Sequence, residues 1–298
     1  MQVKNVAIFG RVFEENFNSS LDFLLKDLAD KGLNLHVFEP FHDFLSPRLS
    51  FHDTTEVFDR SSWDPSKIDF MICIGGDGTY LDATTFVRDS NIPILGINTG
   101  RLGFLSGASI KELDKVTDCI LNQNYELYKR ATLKVEGNTP VFEKNNFALN
   151  EITLHKSDTS SMIKIHTYLN DDFLNTYWAD GLILSTPTGS TAYSLSCGGP
   201  IVFPGSDNFV LTPVAPHNLN MRPIVIPDKF KVRFEVEGRS RFYLASLDSR
   251  SETLDSSIEL TVSKNNFFIN LVRLPNHAYH STIRSKLNWG LDQRNNKY

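Results

Sequence analysis

The sequence is poor in cysteine and has no long apolar run. Its 298 residues include only Cys73, Cys119 and Cys197, whose spacing fits no zinc site and whose odd number argues against a disulfide framework. No apolar stretch approaches the roughly 18 residues that a membrane-spanning helix needs. The first ten residues also lack the basic and apolar regions of a signal peptide. We therefore expect no membrane partner and a cytoplasmic location.

An excess of charge of one sign is also missing. The chain has 30 basic and 35 acidic residues, a formal net charge of -5, and no block of five like charges. This balance excludes the electrostatic footprint of a nucleic-acid-binding protein. Hydrophobic residues make up 41% and charged residues 22%, which is ordinary for a globular protein. At roughly 100–200 residues per domain, the length fits one large domain or two ordinary ones.

The first third of the chain alternates between strand and helix patterns. Short apolar runs predict strands at 6–9, 33–38, 69–74 and 92–97, and helical spacing of apolar residues predicts helices at 14–31, 79–88 and 109–122. Nearly continuous apolar runs are typical of parallel strands that are covered on both faces. The order predicts an α/β domain with a doubly wound, mostly parallel sheet over residues 1–125.

The pattern changes near residue 125 to short alternating runs. They predict strands at 131–135, 163–169, 230–236, 242–247, 258–262 and 267–271. Residues 126–275 are therefore predicted to form an all-β domain of the layered β-sandwich type. Residues 276–298 are predicted to be a helical tail that packs back on the first domain, with Ser281 as its cap and Gly290 at its end.

A glycine-rich segment follows the third predicted strand. Ile74 runs into Gly75-Gly76-Asp77-Gly78-Thr79, and a helical pattern comes next. Glycines let the backbone turn tightly and approach a ligand closely. The unpaired N–H groups at a helix start, together with the helix dipole, favour phosphate. The segment also lies at the carboxyl end of a parallel strand, where ligands bind in open α/β sheets. We therefore predict a phosphate-binding loop.

Asp77 lies between the glycines of this loop. The loop has neither the G-x-x-x-x-G-K-S/T pattern of a Walker A loop nor a Rossmann G-x-G-x-x-G pattern with an acidic residue about 20 positions on. Phosphates repel an aspartate unless it serves the chemistry, either as a general base toward a hydroxyl or as a ligand of magnesium. The alternative is that Asp77 only caps the next helix while the glycines turn the chain.

Two further segments place polar or aromatic residues beside predicted strands. In 99–105, two glycines precede Phe104, which could stack on an adenine or belong to the core. Asn150 and Glu151 interrupt an apolar strand, and adjacent strand residues point to opposite faces, so at least one of them faces a site or solvent. Their amide and carboxylate suit purine edges and ribose hydroxyls. The alternative is that they lie on an edge strand.

Small hydroxyl residues are concentrated between Ser185 and Ser194. Six of them, apart from Tyr193, surround Gly189 in this stretch. Small hydroxyls can contact a polar ligand without filling its space. Ser190 or Thr191 is predicted to cap a helix that begins after Gly189, which would make a second polar helix end. The alternative is a solvated loop, although the preceding residues 181–184 have the apolar character of a buried strand.

The combination resembles the NAD kinase family over most of the chain. The resemblance rests on four segments, which are Gly75–Thr79, Asn150-Glu151, Asp180-Gly181 and the T-P-T-G-S-T-A-Y-S run at 186–194. The glycine loop is shared with diacylglycerol and sphingosine kinases and, more distantly, with phosphofructokinases, whereas the 186–194 run is far more specific. The resemblance implies an N-terminal α/β domain and a C-terminal β domain with the active site between them.

The resemblance also implies a reaction. A phosphoryl group passes from ATP to the adenosine 2′-hydroxyl of NAD, giving NADP and ADP. A divalent metal, expected to be Mg²⁺, takes part without a dedicated protein cage. The functional assembly is implied to be a homodimer or homotetramer.

Site residues follow from the same resemblance. Asp77 looks like the proton acceptor for the 2′-hydroxyl, and Gly75, Gly76, Gly78 and Thr79 look like the loop that holds the ATP phosphates. The implied NAD-binding residues are Asp77, Gly78, Asn150, Glu151, Asp180, Thr191, Ala192, Tyr193, Ser194, Leu195 and Ser196, with Phe104 and Ala215 as weaker members.

The sequence departs from some family members at Arg250, where they carry an amide. An arginine pairs well with phosphate, so we hypothesise that Arg250 helps to bind nucleotide across a subunit interface. Two other functions stay open. A lipid kinase of the diacylglycerol or sphingosine type would need an apolar cleft and have no use for residues 185–196. A non-catalytic NAD sensor on the same fold is disfavoured by the intact Asp77 and its glycine flanks.

Overall fold

The computed structural model describes residues 3–12, 17–99, 103–158, 161–275 and 278–288. The α-helices in this part of the chain are α1 (Asn18–Asp30), α2 (Glu39–Leu45), α3 (Asp77–Val87), α4 (Leu113–Leu121), α5 (Tyr193–Ser196) and α6 (Tyr279–Leu287). Its strands are β1 (Asn5–Gly10), β2 (Asn34–Phe38), β3 (Glu56–Phe58), β4 (Phe70–Ile74), β5 (Ile94–Asn98), β6 (Ala108–Ser109), β7 (Glu126–Gly137), β8 (Phe147–Ala148), β9 (Glu151–Lys156), β10 (Ile163–Leu169), β11 (Asp172–Ala179), β12 (Gly181–Ser185), β13 (Asn208–Val214), β14 (Ile224–Pro227), β15 (Val232–Glu237), β16 (Phe242–Leu247), β17 (Arg250–Asp255) and β18 (Leu260–Arg273). None of the described helices is long and apolar enough to cross a membrane.

The chain divides into two compact units. The first unit comprises Met1–Lys129 and Ile269–Tyr298, and the second comprises Arg130–Phe268. Both divisions fall inside strands, at β7 and β18, because each of these strands continues from one unit into the other. The sequence pattern does not change within a strand, so a division inside a strand leaves no mark in the sequence. The domain boundaries predicted at 125/126 and 275/276 stay predictions.

The sheet of the first unit is parallel. Its strand order is β18-β5-β4-β1-β2-β3, and every one of these neighbouring pairs runs parallel. Strands β4 and β5 are buried throughout, which explains their continuous apolar runs. The predicted α/β domain with a mostly parallel sheet is therefore confirmed.

The strand order of this sheet reverses between β1 and β4. From β1 the chain moves outward to β2 and β3, and it then returns to β4 on the other side of β1. Gly10 at the end of β1 pairs with Ile74 at the end of β4, so the loops that follow them start side by side. Such a reversal leaves a crevice at the carboxyl ends of the strands, where open α/β sheets bind their ligands.

Helix α1 shows how the first unit closes its core. Its buried residues are Leu21, Leu24, Leu25 and Leu28, spaced so that they share one face of the helix. They pack into the cluster that contains Val6 and Ile8 of β1. The helix predicted over 14–31 is thus present as Asn18–Asp30, and the start of the prediction lies in residues 14–16, outside the described ones.

The second unit consists of antiparallel sheets around one apolar core. One sheet contains β11-β10-β15 and the first part of β18, and the other runs β14-β13-β12-β9-β16-β17. Alternating residues from both sheets, such as Ile165, Phe209 and Phe234, share the core. The all-β prediction is confirmed, with α5 as a short helical turn inserted between β12 and β13.

Two local predictions were wrong. The strands predicted at 258–262 and 267–271 are one strand, β18, whose middle residues are partly exposed and interrupt the alternation. Ser281 does not cap the last helix, because α6 begins at Tyr279 after Ala278 and Ser281 lies in its first turn. The predicted end at Gly290 falls outside the described residues.

Candidate active site

The glycine loop connects the buried strand β4 to helix α3. Gly75 has φ +148, and a Cβ atom on it would lie 2.5 Å from Oγ1 of the buried Thr79. Because side chains rarely adopt this φ, the turn requires glycine there. Gly76 is the N-cap of α3, and Asp77 is the first helical residue. The sequence therefore folds into a strand, a tight turn and a helix N-terminus at the carboxyl edge of the sheet.

The carboxylate of Asp77 binds the backbone of a second segment. Phe104 N donates to Oδ2 at 2.9 Å, and Leu105 N donates to Oδ1 at 3.2 Å. Gly103 lies so close that a Cβ atom on it would overlap Oδ1 of Asp77. Helix α3 has no side-chain cap, so the capping alternative for Asp77 is wrong. The glycine in the second segment instead makes room for the carboxylate, a role that sequence reasoning missed.

Gly76 and Gly78 differ from Gly75 in their surroundings. Apart from the adjoining residues and the backbone of α3 itself, no described atom lies within 4 Å of a Cβ atom placed on either residue, and neither has a left-handed backbone. The described fold itself thus does not require glycine at these two positions. A requirement for close approach by a phosphate is the remaining physical reason for glycine there.

This contrast gives a prediction for Gly76→Ala and Gly78→Ala. Gly76→Ala is expected to keep the unfolding free energy of the wild type, whereas Gly78→Ala, in the first turn of α3, is expected to gain up to about 1 kcal/mol. Both are expected to raise the Michaelis constant for ATP about tenfold or more, because a methyl group would stand between the loop and a phosphate. Urea unfolding and steady-state kinetics measure the two effects, and a lost fold with an unchanged constant would contradict the prediction.

Phe104 is half-buried, and a cation lies over its ring. The ammonium of Lys286, on α6, is 5.2 Å from the ring centroid. This is the geometry of a cation–π contact, and it ties α6 to the segment that holds Asp77. The ring is therefore neither fully in the core nor free on both faces. Its predicted stacking on adenine stays a prediction, and residues 100–102 lie outside the described ones.

Asn150 and Glu151 are buried in the second unit, at 7% and 9% exposure. Glu151 begins β9, which lies between β12 and β16 in the interior of its sheet. The edge-strand alternative is therefore wrong. Oε2 of Glu151 is buried without a hydrogen-bond partner among the described residues. Burial, reinforced by the negative charge of Asp248, raises the pKa of Glu151 to about 8.

Asp248 anchors the backbone on which these two residues stand. Its carboxylate accepts hydrogen bonds from the N–H groups of Leu149 at 2.8 Å, Asn150 at 2.8 Å and Glu151 at 3.2 Å. Its side chain is 1% exposed and its φ is +52. The sequence analysis did not single out Asp248 as a functional residue. The available signal was an aspartate after an apolar strand, a residue type that tolerates a left-handed turn.

The hydroxyl-rich segment is packed inside the second unit. Oγ1 of Thr186 donates to Leu149 O at 2.6 Å, Oγ of Ser190 donates to Pro187 O at 2.7 Å, and the hydroxyls of Ser194 and Thr212 are 2.8 Å apart. The solvated-loop alternative is therefore wrong, since these hydroxyls bond to the protein itself. The predicted cap is also wrong, because the residue before α5 is Ala192 and makes no side-chain cap.

The surface of this segment is formed by its later residues. Tyr193 is 42% exposed, Ser196 is exposed, and Thr191, Ala192 and Leu195 are half-buried, whereas Ser194 is buried. The segment is docked on Asn150, whose carbonyl accepts the N–H of Thr186 at 2.8 Å. The structure thus brings Asn150 and the 186–196 segment together. Burial raises the pKa values of Tyr193 and Cys197.

Asp180 and Ala215 lie at neighbouring strand ends. Asp180 forms an ion pair with Lys156 at 2.7 Å, and its backbone N–H donates to Val214 O at 3.0 Å. Ala215 follows directly, is exposed and has φ +45, which is unusual for a residue other than glycine. The two predicted residues are therefore adjacent in the fold.

The guanidinium of Arg250 is directed at main-chain carbonyls. It donates to Asn145 O and Phe147 O, and it lies 5.3 Å from the centroid of the Phe147 ring. Nη2 is also 3.7 Å from Oδ2 of Asp248. These contacts give the side chain a structural role, and its hypothesised nucleotide contact stays a hypothesis.

Arg250→Ala separates these two roles. If the contacts are structural, the variant is expected to lose about 1–3 kcal/mol of unfolding free energy while its Michaelis constant for ATP stays within about twofold of the wild type. A phosphate contact would instead raise that constant strongly. Urea unfolding and initial-rate kinetics on the same preparation decide between them, with Arg250→Lys as the control that keeps the charge.

Comparisons with known proteins find matches to both the first and the second half of the chain. The family model described as the ATP-NAD kinase N-terminal domain matches residues 14–125, and the one described as the ATP-NAD kinase C-terminal domain matches residues 149–274. A protein named NAD kinase from Cytophaga hutchinsonii is 48% identical over 289 residues, with 97% of this chain and 99% of the relative covered. One from Flavobacterium psychrophilum is 43% identical over 292 residues, with the same coverage.

Solved structures share the fold. Yeast NADH kinase complexed with NADH superposes with a TM-score of 0.86 at 23% identity, covering 99% of this chain and 90% of the yeast chain. An NAD kinase from Archaeoglobus fulgidus in complex with ATP has a TM-score of 0.71 at 23% identity, covering 95% of this chain and 98% of the other. Taken with the two family models and the near-full-length relatives, the fold and its glycine loop identify the chain as a member of the NAD kinase family.

Proposed function

We propose that this chain phosphorylates the adenosine 2′-hydroxyl of NAD with ATP, giving NADP and ADP. The observation that carries the proposal is the Asp77 carboxylate, which two backbone N–H groups hold at the carboxyl edge of β4. It stands in a chain that belongs to the NAD kinase family. A fixed carboxylate beside a phosphate-binding helix end is what a kinase acting on an alcohol needs.

In the proposed mechanism, Asp77 accepts the proton of the ribose hydroxyl. An unactivated hydroxyl is a poor nucleophile, and a carboxylate within hydrogen-bond reach of it removes the proton as the oxygen attacks the terminal phosphorus of ATP. ADP leaves from the opposite side. The N–H groups at the start of α3 and the glycine loop, including Thr79, hold the phosphates. Positioning and electrostatics then supply the rest of the rate enhancement.

A divalent metal fits this arrangement as a companion of ATP. Among the described residues, no group of three or more His, Cys, Asp or Glu side chains could hold a metal ion. Mg²⁺ usually keeps several waters and binds through one or two carboxylates together with substrate phosphates. Asp77 is the carboxylate of the loop, so it is the protein group that would face such an ion. When bound, the metal would screen the negative charge of the phosphates.

NAD binding is assigned to the second unit together with Asp77 and Gly78. We propose that Asn150 and Glu151 bind its polar groups and that Tyr193 gives an aromatic face to the adenine. The neighbouring wall would consist of Thr191, Ala192, Ser194, Leu195 and Ser196, with Asp180 and Ala215 at its margins, and Phe104 of the first unit is proposed as a weaker contact of NAD. The burial of Asn150 and Glu151 and the exposure of Tyr193 support this assignment. A homodimer or homotetramer and a cytoplasmic location complete the proposal, and light scattering of the purified protein tests the assembly.

Initial rates with purified protein test the reaction. NAD and NADH are each combined with ATP or polyphosphate in the presence of Mg²⁺, and the phosphorylated product is measured with NADP-specific enzymes. NADP formation from NAD and ATP is the expected result. Phosphorylation of diacylglycerol or sphingosine instead would favour the lipid kinase, and NAD binding without turnover would favour the sensor.

A further inference from the structure

Glu151 and Asp248 are two buried carboxyl groups with opposite surroundings. Asp248 accepts three backbone N–H groups and has Arg250 at 3.7 Å, whereas Oε2 of Glu151 has no partner among the described residues. Hydrogen-bond donors and a nearby cation favour the ionised form of a carboxyl group, and burial without them favours the neutral form. When two such groups influence each other, the proton goes to the one without donors.

We propose that Glu151 stands in the site as a neutral carboxylic acid that donates a hydrogen bond to an acceptor atom of the bound dinucleotide, with Asp248 as the positioning residue that keeps it neutral. The inference rests on the proposed function, because the acceptor belongs to NAD. It replaces the expectation that Glu151 accepts hydrogen bonds from ribose hydroxyls as a carboxylate.

The position of Glu151 supports a ligand-facing role. The residue is 9% exposed, and a buried polar group without a partner is costly unless a ligand supplies one. Glu151 pairs with Ser185 of β12, and Thr186 N donates to Asn150 O, so the backbone of Glu151 lies beside the start of the hydroxyl-rich segment. An acid at this place would meet a ligand that lies against Tyr193 and its neighbours.

The titratable groups around Glu151 allow a clean pH test. In the second unit they are Asp248, Arg250 beside it, Cys197, and Tyr193 next to Cys197. Burial raises the pKa of the thiol and of the phenol above their ordinary values, which disfavours the ionised form of both. Burial also raises the pKa of Asp248, while its three N–H donors and Arg250 lower it. Glu151 is therefore expected to be the group of this set that ionises near pH 8.

The first test measures stability without any ligand. Because the pKa of Glu151 rises from an ordinary 4.5 to about 8 on folding, the unfolded chain binds fewer protons between these values, and stability falls as pH rises. The Tm of the wild type is expected to fall relative to Glu151→Gln from about pH 5 to about pH 8 and to run parallel to it above that. Glu143→Gln, at an exposed glutamate, is the matched control, and its Tm is expected to run parallel to that of the wild type over the whole pH range. If the Tm of Glu151→Gln ran parallel to that of the wild type between pH 5 and pH 8, the proposal that Glu151 is neutral would be overturned.

The second test measures the Michaelis constant for NAD against pH. In the wild type it is expected to rise by up to about tenfold per pH unit above pH 8, as the donor is lost. In Glu151→Gln, whose amide keeps a donor, the rise is expected to disappear. In Asp248→Asn, where a negative charge is removed, it is expected to begin at lower pH. If Asp248→Asn fails to fold, the comparison of Glu151→Gln with the wild type still decides.

The outcomes separate this inference from the proposed function. A wild type that phosphorylates NAD with a pH-independent Michaelis constant would overturn the donor role and leave the function intact. The same would follow if Glu151→Gln kept the rise above pH 8. A wild type that does not phosphorylate NAD would overturn the proposed function and the donor role together, and the Tm comparison would then still test whether Glu151 is neutral.

Discussion

Asp77→Asn is expected to lower the turnover number for NAD phosphorylation by about 10²- to 10⁴-fold, the usual contribution of a general base. The amide has the shape of the carboxylate but cannot take the proton of the ribose hydroxyl. Its oxygen can still accept one of the two N–H groups, from Phe104 or Leu105, that hold the carboxylate. The loss of the second bond is expected to cost about 1 kcal/mol of unfolding free energy, so the variant should stay folded.

The effect is expected in turnover and not in binding. The Michaelis constant for NAD should change little, because the amide still offers a hydrogen-bonding partner to the ribose. Asp89→Asn makes the same chemical change at an exposed residue just beyond α3, and it should leave both kinetic constants at the wild-type values. Near-normal turnover in Asp77→Asn would remove Asp77 from the chemical step.

Most of the fold could be predicted from local patterns in the sequence. Strands β4 and β5 were predictable because burial on both faces leaves a continuous apolar run. Helix α1 was predictable because its four buried leucines share one face. The long strand β18 was not, since its partly exposed middle interrupts the alternation on which such a prediction depends. The glycine loop was predictable because its strand, turn and helix start are neighbours in sequence.

Contacts between distant residues could not be derived from patterns. The sequence has hydroxyl groups concentrated at 185–194, but only the fold shows that those of Thr186, Ser190 and Ser194 form hydrogen bonds within the protein. It also drew attention to Arg250 as a cation, whereas its partners are carbonyls more than a hundred residues away in sequence. Asp248 was overlooked for the same reason, because its three N–H donors belong to residues 149–151.

The contact between Gly103 and Asp77 leads to a second large effect. Gly103→Ala is expected to lower turnover by about 100-fold, because displacement of a catalytic group by about 1 Å can cost that much. The new Cβ would overlap Oδ1 of Asp77, a side-chain atom, so the carboxylate must rotate away from Phe104 N and Leu105 N. The backbone at Gly103 is not left-handed, so alanine can adopt it, and the loss of the two hydrogen bonds should lower the unfolding free energy by about 1–2 kcal/mol, which leaves the variant folded.

Gly107→Ala is the matched control for this prediction. A Cβ atom on Gly107 would overlap the backbone oxygen of Val272, which cannot move without distorting β18. This variant is expected to lose about 1–3 kcal/mol of unfolding free energy by overpacking while its folded fraction turns over at a nearly normal rate. Urea unfolding and active-site-normalised kinetics should therefore show mainly a loss of turnover in Gly103→Ala and mainly a loss of stability in Gly107→Ala. Normal turnover in a folded Gly103→Ala would show that the position of Asp77 seen here does not limit the reaction.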